Sequence, residues 1–205
     1  MSGHLIAFEG GEGSGKSTQA RRLAARLEGA ALFTFEPGDT PLGVEIRRLL
    51  LDSPDIEITD RAEALLMAAD RAQHVVEVVR PALEAGRTVV CDRYAGSSVA
   101  YQGHGRQLPA AEVERLSRWA TDGLWPDLIV LLEVPPGTAR ARRTRAEDRL
   151  ESAGEAFHRR VHDGFLVQAM EDPDRWAVVD GTPSEDDVAA AIWQLLAIRF
   201  PDLAR

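Results

Sequence analysis

Gly10-Gly11-Glu12-Gly13-Ser14-Gly15-Lys16-Ser17 fits the pattern G-x-x-x-x-G-K-[ST] at every position. Each residue type in it has chemistry to do. The glycines let the backbone turn tightly and bring its N–H groups against phosphate oxygens. A helix opening near Lys16 adds the positive end of its dipole. Lys16 is spaced to reach the β- and γ-phosphates of a nucleoside triphosphate and the Ser17 hydroxyl to ligate Mg²⁺, with Thr18 carrying the loop into the helix. The cofactors expected are therefore ATP and Mg²⁺. Of 24 basic residues Lys16 is the one lysine, kept where a compact ammonium is needed. Glu9 ends the apolar run before the loop. A buried carboxylate there has few structural reasons, which points to a metal-bound water or to acceptor positioning.

Stepping outward from the loop, apolar runs of four to six residues predict strands over 4–9, 31–35, 87–91, 128–133 and 176–179. Helical periodicity fills the intervals: 16–27, 42–51, 59–85 with a bend at Pro81, a helix opening at 97–101, then 110–121, 137–144, 154–170 and 184–198. Such alternation predicts a three-layer α/β/α P-loop NTPase fold with a five-stranded parallel sheet, as a single domain over 1–205. In an open parallel sheet, ligands sit at the carboxy edge. Asp92-Arg93 follow the third strand there, Arg93 as a phosphate cation and Asp92 as a ligand to Mg²⁺ or its water. Met67 and Arg71 share a helix face at i, i+4, as do Ser98 and Gln102. Arg140, Arg142, Arg143, Arg145 and Arg149 crowd one stretch and predict a lid over 140–153 that closes on the phosphates.

The 205 residues carry a net charge of −9, with 44% apolar and 28% charged side chains. That balance argues against a duplex nucleic-acid binder, which needs a basic face. No apolar run reaches membrane-spanning length and the N-terminus lacks a signal peptide's pattern, so no membrane partner is expected and the cytoplasm is the expected location. The one cysteine, Cys91, lies in an apolar run and reads as a buried, inert thiol. With a single lysine, the chain cannot hold the Asn-Lys-x-Asp segment by which a GTPase switch reads guanine. Small kinases and related transferases remain.

Six segments, the loop among them, carry a resemblance. Phe8 to Thr18, Phe35-Glu36-Pro37-Gly38-Asp39-Thr40-Pro41-Leu42-Gly43, Leu65-Leu66-Met67-Ala68-Ala69-Asp70-Arg71-Ala72-Gln73-His74, Asp92-Arg93-Tyr94, Ser97-Ser98-Val99-Ala100-Tyr101-Gln102-Gly103 and Asp148-Arg149-Leu150-Glu151 resemble the bacterial thymidylate kinases, nearly end to end. The resemblance implies transfer of the γ-phosphoryl group of ATP to the 5′-phosphate of dTMP, a step of dTTP biosynthesis, in a homodimer. It implies that Arg93 and Arg47 hold the acceptor phosphate. It places Arg71 on a thymine carbonyl, with Met67 where the family stacks an aromatic ring. Ser98, Tyr101 and Gln102 would face base and sugar, and Glu36 and Pro37 the same pocket. Glu12 marks the bacterial type, whose loop has no catalytic arginine; the lid supplies it, with Arg149 the candidate.

Besides Met67, three positions depart from the family pattern: Phe35 where an arginine is common, Asp39 where a second glycine is common, and Phe165 where a tyrosine is common. Two other readings stay open, another small P-loop nucleotide or nucleoside kinase and a nucleotide-binding regulator without turnover. An acceptor pocket with intact arginines argues against the regulator.

Overall fold

The computed structural model describes residues 3–53, 55–142, 149–150 and 152–203. Five strands, β1 (Leu5–Glu9), β2 (Ala31–Phe35), β3 (Thr88–Asp92), β4 (Leu128–Glu133) and β5 (Trp176–Asp180), form one parallel sheet in the order β2-β3-β1-β4-β5. Register is fixed by pairs such as Ile6 with Val90 and with Leu128. β1 and β3 are buried along their whole length, and β4 in all but its last residue, whereas the edge strands β2 and β5 are only partly buried. Continuous apolar runs suit strands covered on both faces.

The covering helices are α1 (Lys16–Arg26), α2 (Pro41–Leu51), α3 (Asp60–His74), α4 (Arg80–Glu84), α5 (Ala95–Ser98), α6 (Ala110–Ala120), α7 (Pro136–Ala141), α8 (Glu155–Glu171) and α9 (Glu185–Arg199). Alternate strand residues feed two cores. Leu5, Ala7, Val89, Cys91, Ile129 and Leu131 pack with Val75, Val79, Phe157, Val161 and Phe165 on one face. Ile6, Phe8, Val90, Val130 and Leu132 pack with Leu23 of α1 and with Ile192 and Leu196 of α9 on the other.

Two helical regions differ from the periodicity. The long helix expected over 59–85 is α3, a π-helical turn Val75–Val79, and α4. Pro81 has no N–H to donate and its ring crowds the preceding turn; the chain answers by widening that turn, with the Arg80 N–H donating to Val75 O, rather than by a simple bend. After α5, residues Val99–Gly105 are again π-helical. Thr40 caps α2, its hydroxyl accepting from the Gly43 N–H at 2.9 Å, with Pro41 at the first helical position.

Candidate active site

The loop between β1 and α1 threads between the end of β4 and α7. Gly13 has φ +78°, and a Cβ there would sit 2.2 Å from Ala139 O; at Gly10, with φ +140°, a Cβ would sit 2.7 Å from Leu132 O. Only glycine serves at both. Lys16 is buried, 3.4 Å from Gly11 O and 3.8 Å from Glu12 Oε2. Burial lowers its pKa, and nearby Arg93 acts in the same direction against Glu12, Asp92 and Glu9.

Arg93 is the hub. It follows β3 with φ +71°, a left-handed conformation that costs a non-glycine residue energy and is found where geometry is imposed for function. Its guanidinium donates to Gly10 O at 3.3 Å, Ser97 Oγ at 2.9 Å, Tyr101 Oη at 3.2 Å and the Glu12 carboxylate. Burial alone would lower its pKa, but Glu12, Tyr101, Asp92 and Glu9 outweigh that and raise it, so the cation is permanent.

A cavity of about 300 Å³ opens beside it. Lys16, Ser17, Asp92 and Arg93 line it, and so do the acceptor candidates Glu36, Pro37, Arg47, Met67, Arg71, Ser98, Tyr101 and Gln102. Arg47 of α2 donates to Pro37 O at 2.8 Å, which lays it along the Glu36-Pro37 turn. Four of the five N–H groups of Arg71 of α3 are engaged: Nε donates to Glu36 Oε2 at 2.8 Å, Nη1 to Ser98 Oγ at 3.1 Å and Ser117 Oγ at 3.2 Å, Nη2 to Tyr94 O at 3.1 Å. Burial opposes its charge, and Glu36 more than restores it. Beside it, burial and then the Glu36 charge push the Asp70 carboxyl up to about 6. Ser98 and Gln102 both reach the cavity although the turn between them is π-helical, not the α-helix their spacing suggested.

A second cavity, about 290 Å³, lies on the other side of the loop and is lined by Gly10, Gly11, Glu12, Ser14, Arg140, Phe165 and again Tyr101. Gly13, Gly15 and Thr18 line neither cavity. Asp92 Oδ1 is buried without a hydrogen-bond partner among the described residues, and Ser17 lines the same cavity. A carboxylate and a hydroxyl oxygen of this kind fit a hard, oxygen-preferring cation such as Mg²⁺.

Glu9 and Arg149 are each held by partners outside the phosphate loop. Glu9 does have a structural reason. Its carboxylate accepts from the N–H groups of Tyr94 and Ser97, each at 3.0 Å, and from Ser97 Oγ at 2.6 Å, and it lines neither cavity. It therefore braces the segment that carries Arg93 and Ser97. Burial pushes it up to about 7 against the pull of those hydrogen bonds and Arg93. Arg149 is likewise not at the phosphate loop. Its guanidinium donates to Leu50 O at 2.8 Å and to Glu63 Oε2 at 2.6 Å, because Glu63 is a fully buried carboxylate that also accepts from Gln102 and Arg106. Arg142 donates to Gly181 O and Thr182 O. Arg143, Arg145, Asp148 and Glu151 lie outside the described residues; among the described arginines of the lid over 140–153, Arg140 shares a cavity with the loop, as do the lid residues Leu150 and Ser152.

Sequence reasoning passed over Glu63, Ser97, Ser117 and Arg21, which lines the first cavity. Arg21 sits one turn after Ser17 on α1 and was within reach of the i, i+4 rule. Glu63 lies one turn before Met67, in the first turn of α3, where an acid suits the helix dipole and signals no site.

The thymidylate kinase family model matches residues 8–192. A thymidylate kinase of Bifidobacterium longum is 50% identical over 198 residues, covering 94% of this chain and 96% of the relative. One of Deinococcus radiodurans is 50% identical over 202 residues, covering 96% and 98%. The crystal structure of thymidylate kinase from Ehrlichia chaffeensis superposes with a TM-score of 0.78 at 28% identity, covering 96% of this chain and 99% of that one.

Proposed function

This chain belongs to the thymidylate kinase family, and from that premise we propose that it moves the γ-phosphoryl group of ATP onto the 5′-phosphate of dTMP, giving dTDP and ADP. One observation carries the reading: a single cavity is lined by Lys16 and Ser17 of the phosphate loop and also by Arg71, Ser98 and Gln102. A plain ATP binder has no use for the second set. Both reactants are anions, so the work is alignment and charge neutralisation.

In this reading the N–H groups of the loop from Gly10 to Thr18 hold the donor phosphates, and Lys16 follows the transferring group. Arg93 exchanges the Glu12 carboxylate for the acceptor phosphate, helped by Arg47. Arg71 meets a thymine carbonyl, its plane held by Glu36, Ser117 and Tyr94 O, while Met67 packs on the ring. Tyr101 and Gln102 bound the sugar. Asp92 and Ser17 would hold Mg²⁺, which when bound supplies charge neutralisation on the phosphates. The lid supplies the transition-state cation, with Arg149 the candidate by motif and Arg140, in the cavity beside the loop, the candidate by position.

The reading takes the chain as one domain over 1–205 acting as a homodimer in the cytoplasm. Leu65, Ala69 and Ala72 share one stripe of α3, with Val76 a turn further on; Leu65 is 58% and Val76 66% exposed, and Trp119 of the adjoining α6 is 82% exposed. A second copy would cover that apolar surface. Among the described residues no helix is long and apolar enough to cross a membrane.

The test is ADP release from Mg²⁺-ATP with dTMP, beside dUMP, CMP and AMP as competing acceptors. Preference for dTMP supports the reading. Preference for another monophosphate would sink the base-pocket assignment, and ATP binding without acceptor-dependent turnover would sink the enzyme.

A further inference from the structure

Behind the acceptor cavity runs a buried polar chain that ends on Glu36 and Arg71 and whose other members, Asp39, Thr34 and His74, the reading above leaves unused. Asp39 Oδ2 accepts from Thr34 Oγ1. On its other side Thr34 Oγ1 lies against His74 Nε2. The opposite ring nitrogen, His74 Nδ1, is 2.9 Å from Glu36 Oε1, and Glu36 Oε2 accepts from Arg71 Nε at 2.8 Å. Thr34, Glu36, Arg71 and His74 are buried, so water does not compete for these bonds.

Counting protons fixes the state of the ring. A carboxylate only accepts, a hydroxyl has one proton to give, and a neutral imidazole has one donor and one acceptor nitrogen. Glu36, paired with the Arg71 guanidinium, is a carboxylate, so His74 Nδ1 must donate to it. Thr34 spends its one proton on Asp39, which is partly exposed and a carboxylate in its own right. The Thr34 oxygen then offers only lone pairs to His74 Nε2, which must also donate. We propose that Asp39, through Thr34, holds His74 as an imidazolium, and that this fixed cation is a positioning residue that sets Glu36, and through it Arg71, against the acceptor base. The charges then alternate along the chain: Asp39 negative, His74 positive, Glu36 negative, Arg71 positive.

The other groups around the ring fit this. Glu36 on the turn after β2 and Cys91 on β3 offer ligand atoms within 4.8 Å of one another and of a His74 nitrogen. Burial pushes the Cys91 thiol up, and it donates to Arg93 O, so it adds no charge. Asp70 and Arg71 lie on the same helix as His74, Asp70 bonded to the Gly38 N–H and Arg71 to Glu36. An apolar residue at 39 would free the Thr34 proton for Nε2 and leave a neutral ring.

The kinetic part of this inference rests on the dTMP reading; the protonation part does not. The first experiment is ¹⁵N NMR of histidine-labelled full-length protein at pH 7.5, with His74 assigned by the signal lost in His74→Gln. Two protonated-type ring nitrogens are expected in the wild type, and one protonated and one bare nitrogen in Asp39→Ala and Thr34→Val. Neither substituted residue lines the cavity. In both variants KM for dTMP should rise about tenfold, the loss of one well-placed hydrogen bond, with kcat and KM for ATP within about twofold. A neutral ring in the wild type, or one unchanged by both variants, would overturn the proposal. A ring that loses its proton while KM for dTMP stays put would overturn the positioning role. An imidazolium in a wild type that does not turn over dTMP would overturn the substrate reading and leave the protonation assignment standing.

Discussion

The two ends of the site are built from different material. The donor end is backbone: a contiguous loop whose N–H groups and glycine conformations do the binding, with Lys16 and Ser17 the side chains that matter. The acceptor end is side chain. Arg47 from α2, Arg71 from α3, Arg93 after β3, and Ser98 and Gln102 around α5 are each held by a partner from yet another element. A backbone site tolerates loss of a side chain structurally and fails chemically. A site of buried ion pairs fails in both ways, because each charge removed strands another.

The sharpest test of that contrast starts at the donor end. Lys16→Ala should lower kcat on the order of 10⁴-fold, since a cation on the transferring phosphoryl is worth about 10³–10⁵ in rate. Its melting temperature should not fall, because burial already disfavours the ammonium in the folded state. A destabilised Lys16→Ala protein would erase the difference between the ends. Arg71→Ala should raise KM for dTMP and also cost about 3–5 kcal/mol of stability in urea unfolding, because it leaves the Glu36 carboxylate buried and partly uncompensated. If Arg71→Ala unfolded at wild-type urea concentration, the acceptor end would be less interlocked than its hydrogen bonds imply.

Glu9→Gln probes the brace between the two ends. The Glu9 carboxyl sits at about 7 in the fold against 4.5 ordinarily. Below pH 4.5 both folded and unfolded states are protonated there and the group contributes no pH dependence. As pH rises from 4.5 to about 7 the unfolded chain ionises first, so the wild type loses stability relative to Glu9→Gln. The loss levels off above 7 at about 3 kcal/mol. Urea midpoints of both proteins at pH 5 and pH 8 check this; a constant gap would mean that Glu9 is ionised throughout.

The same contrast explains what could be read in advance. The loop is contiguous, so its octapeptide was visible whole, and the fully buried strands of the sheet centre announced themselves as unbroken apolar runs. Met67 with Arg71 and Ser98 with Gln102 were visible because helical spacing is local. Partners joined only by the fold were not. Glu63 looks like any acid at a helix start until α3, the π-helical turn after α5 and the strand-end loops bring Gln102, Arg106 and Arg149 to it. Glu9 pointed to a metal-bound water or the acceptor because its three donors, which the turn after β3 and the start of α5 deliver, come from a distant stretch of chain. The two π-helical stretches were unreadable because sequence periodicity marks a helix without marking which carbonyl each N–H selects.

At Arg149 motif and geometry point to different roles. The Asp148-Arg149-Leu150-Glu151 segment suggested a transition-state cation, but the guanidinium is bound to Glu63 and Leu50 O, with 24% of the side chain exposed. If that is its working position, Arg149→Ala removes one of the two arginines on Glu63 and leaves the Arg106 pair at 3.1 Å in place. The expected cost is about 1–3 kcal/mol of stability, the range for hydrogen bonds to a charged group, with kcat within about threefold of wild type. Arg140→Ala, from the cavity beside the loop, should instead lower kcat by tenfold or more at unchanged stability. Single-turnover phosphoryl transfer and urea unfolding on the two variants decide it. A kcat loss beyond about 100-fold in Arg149→Ala would mean that the arginine leaves Glu63 during turnover, and that the lid draws its catalytic charge from the acceptor end.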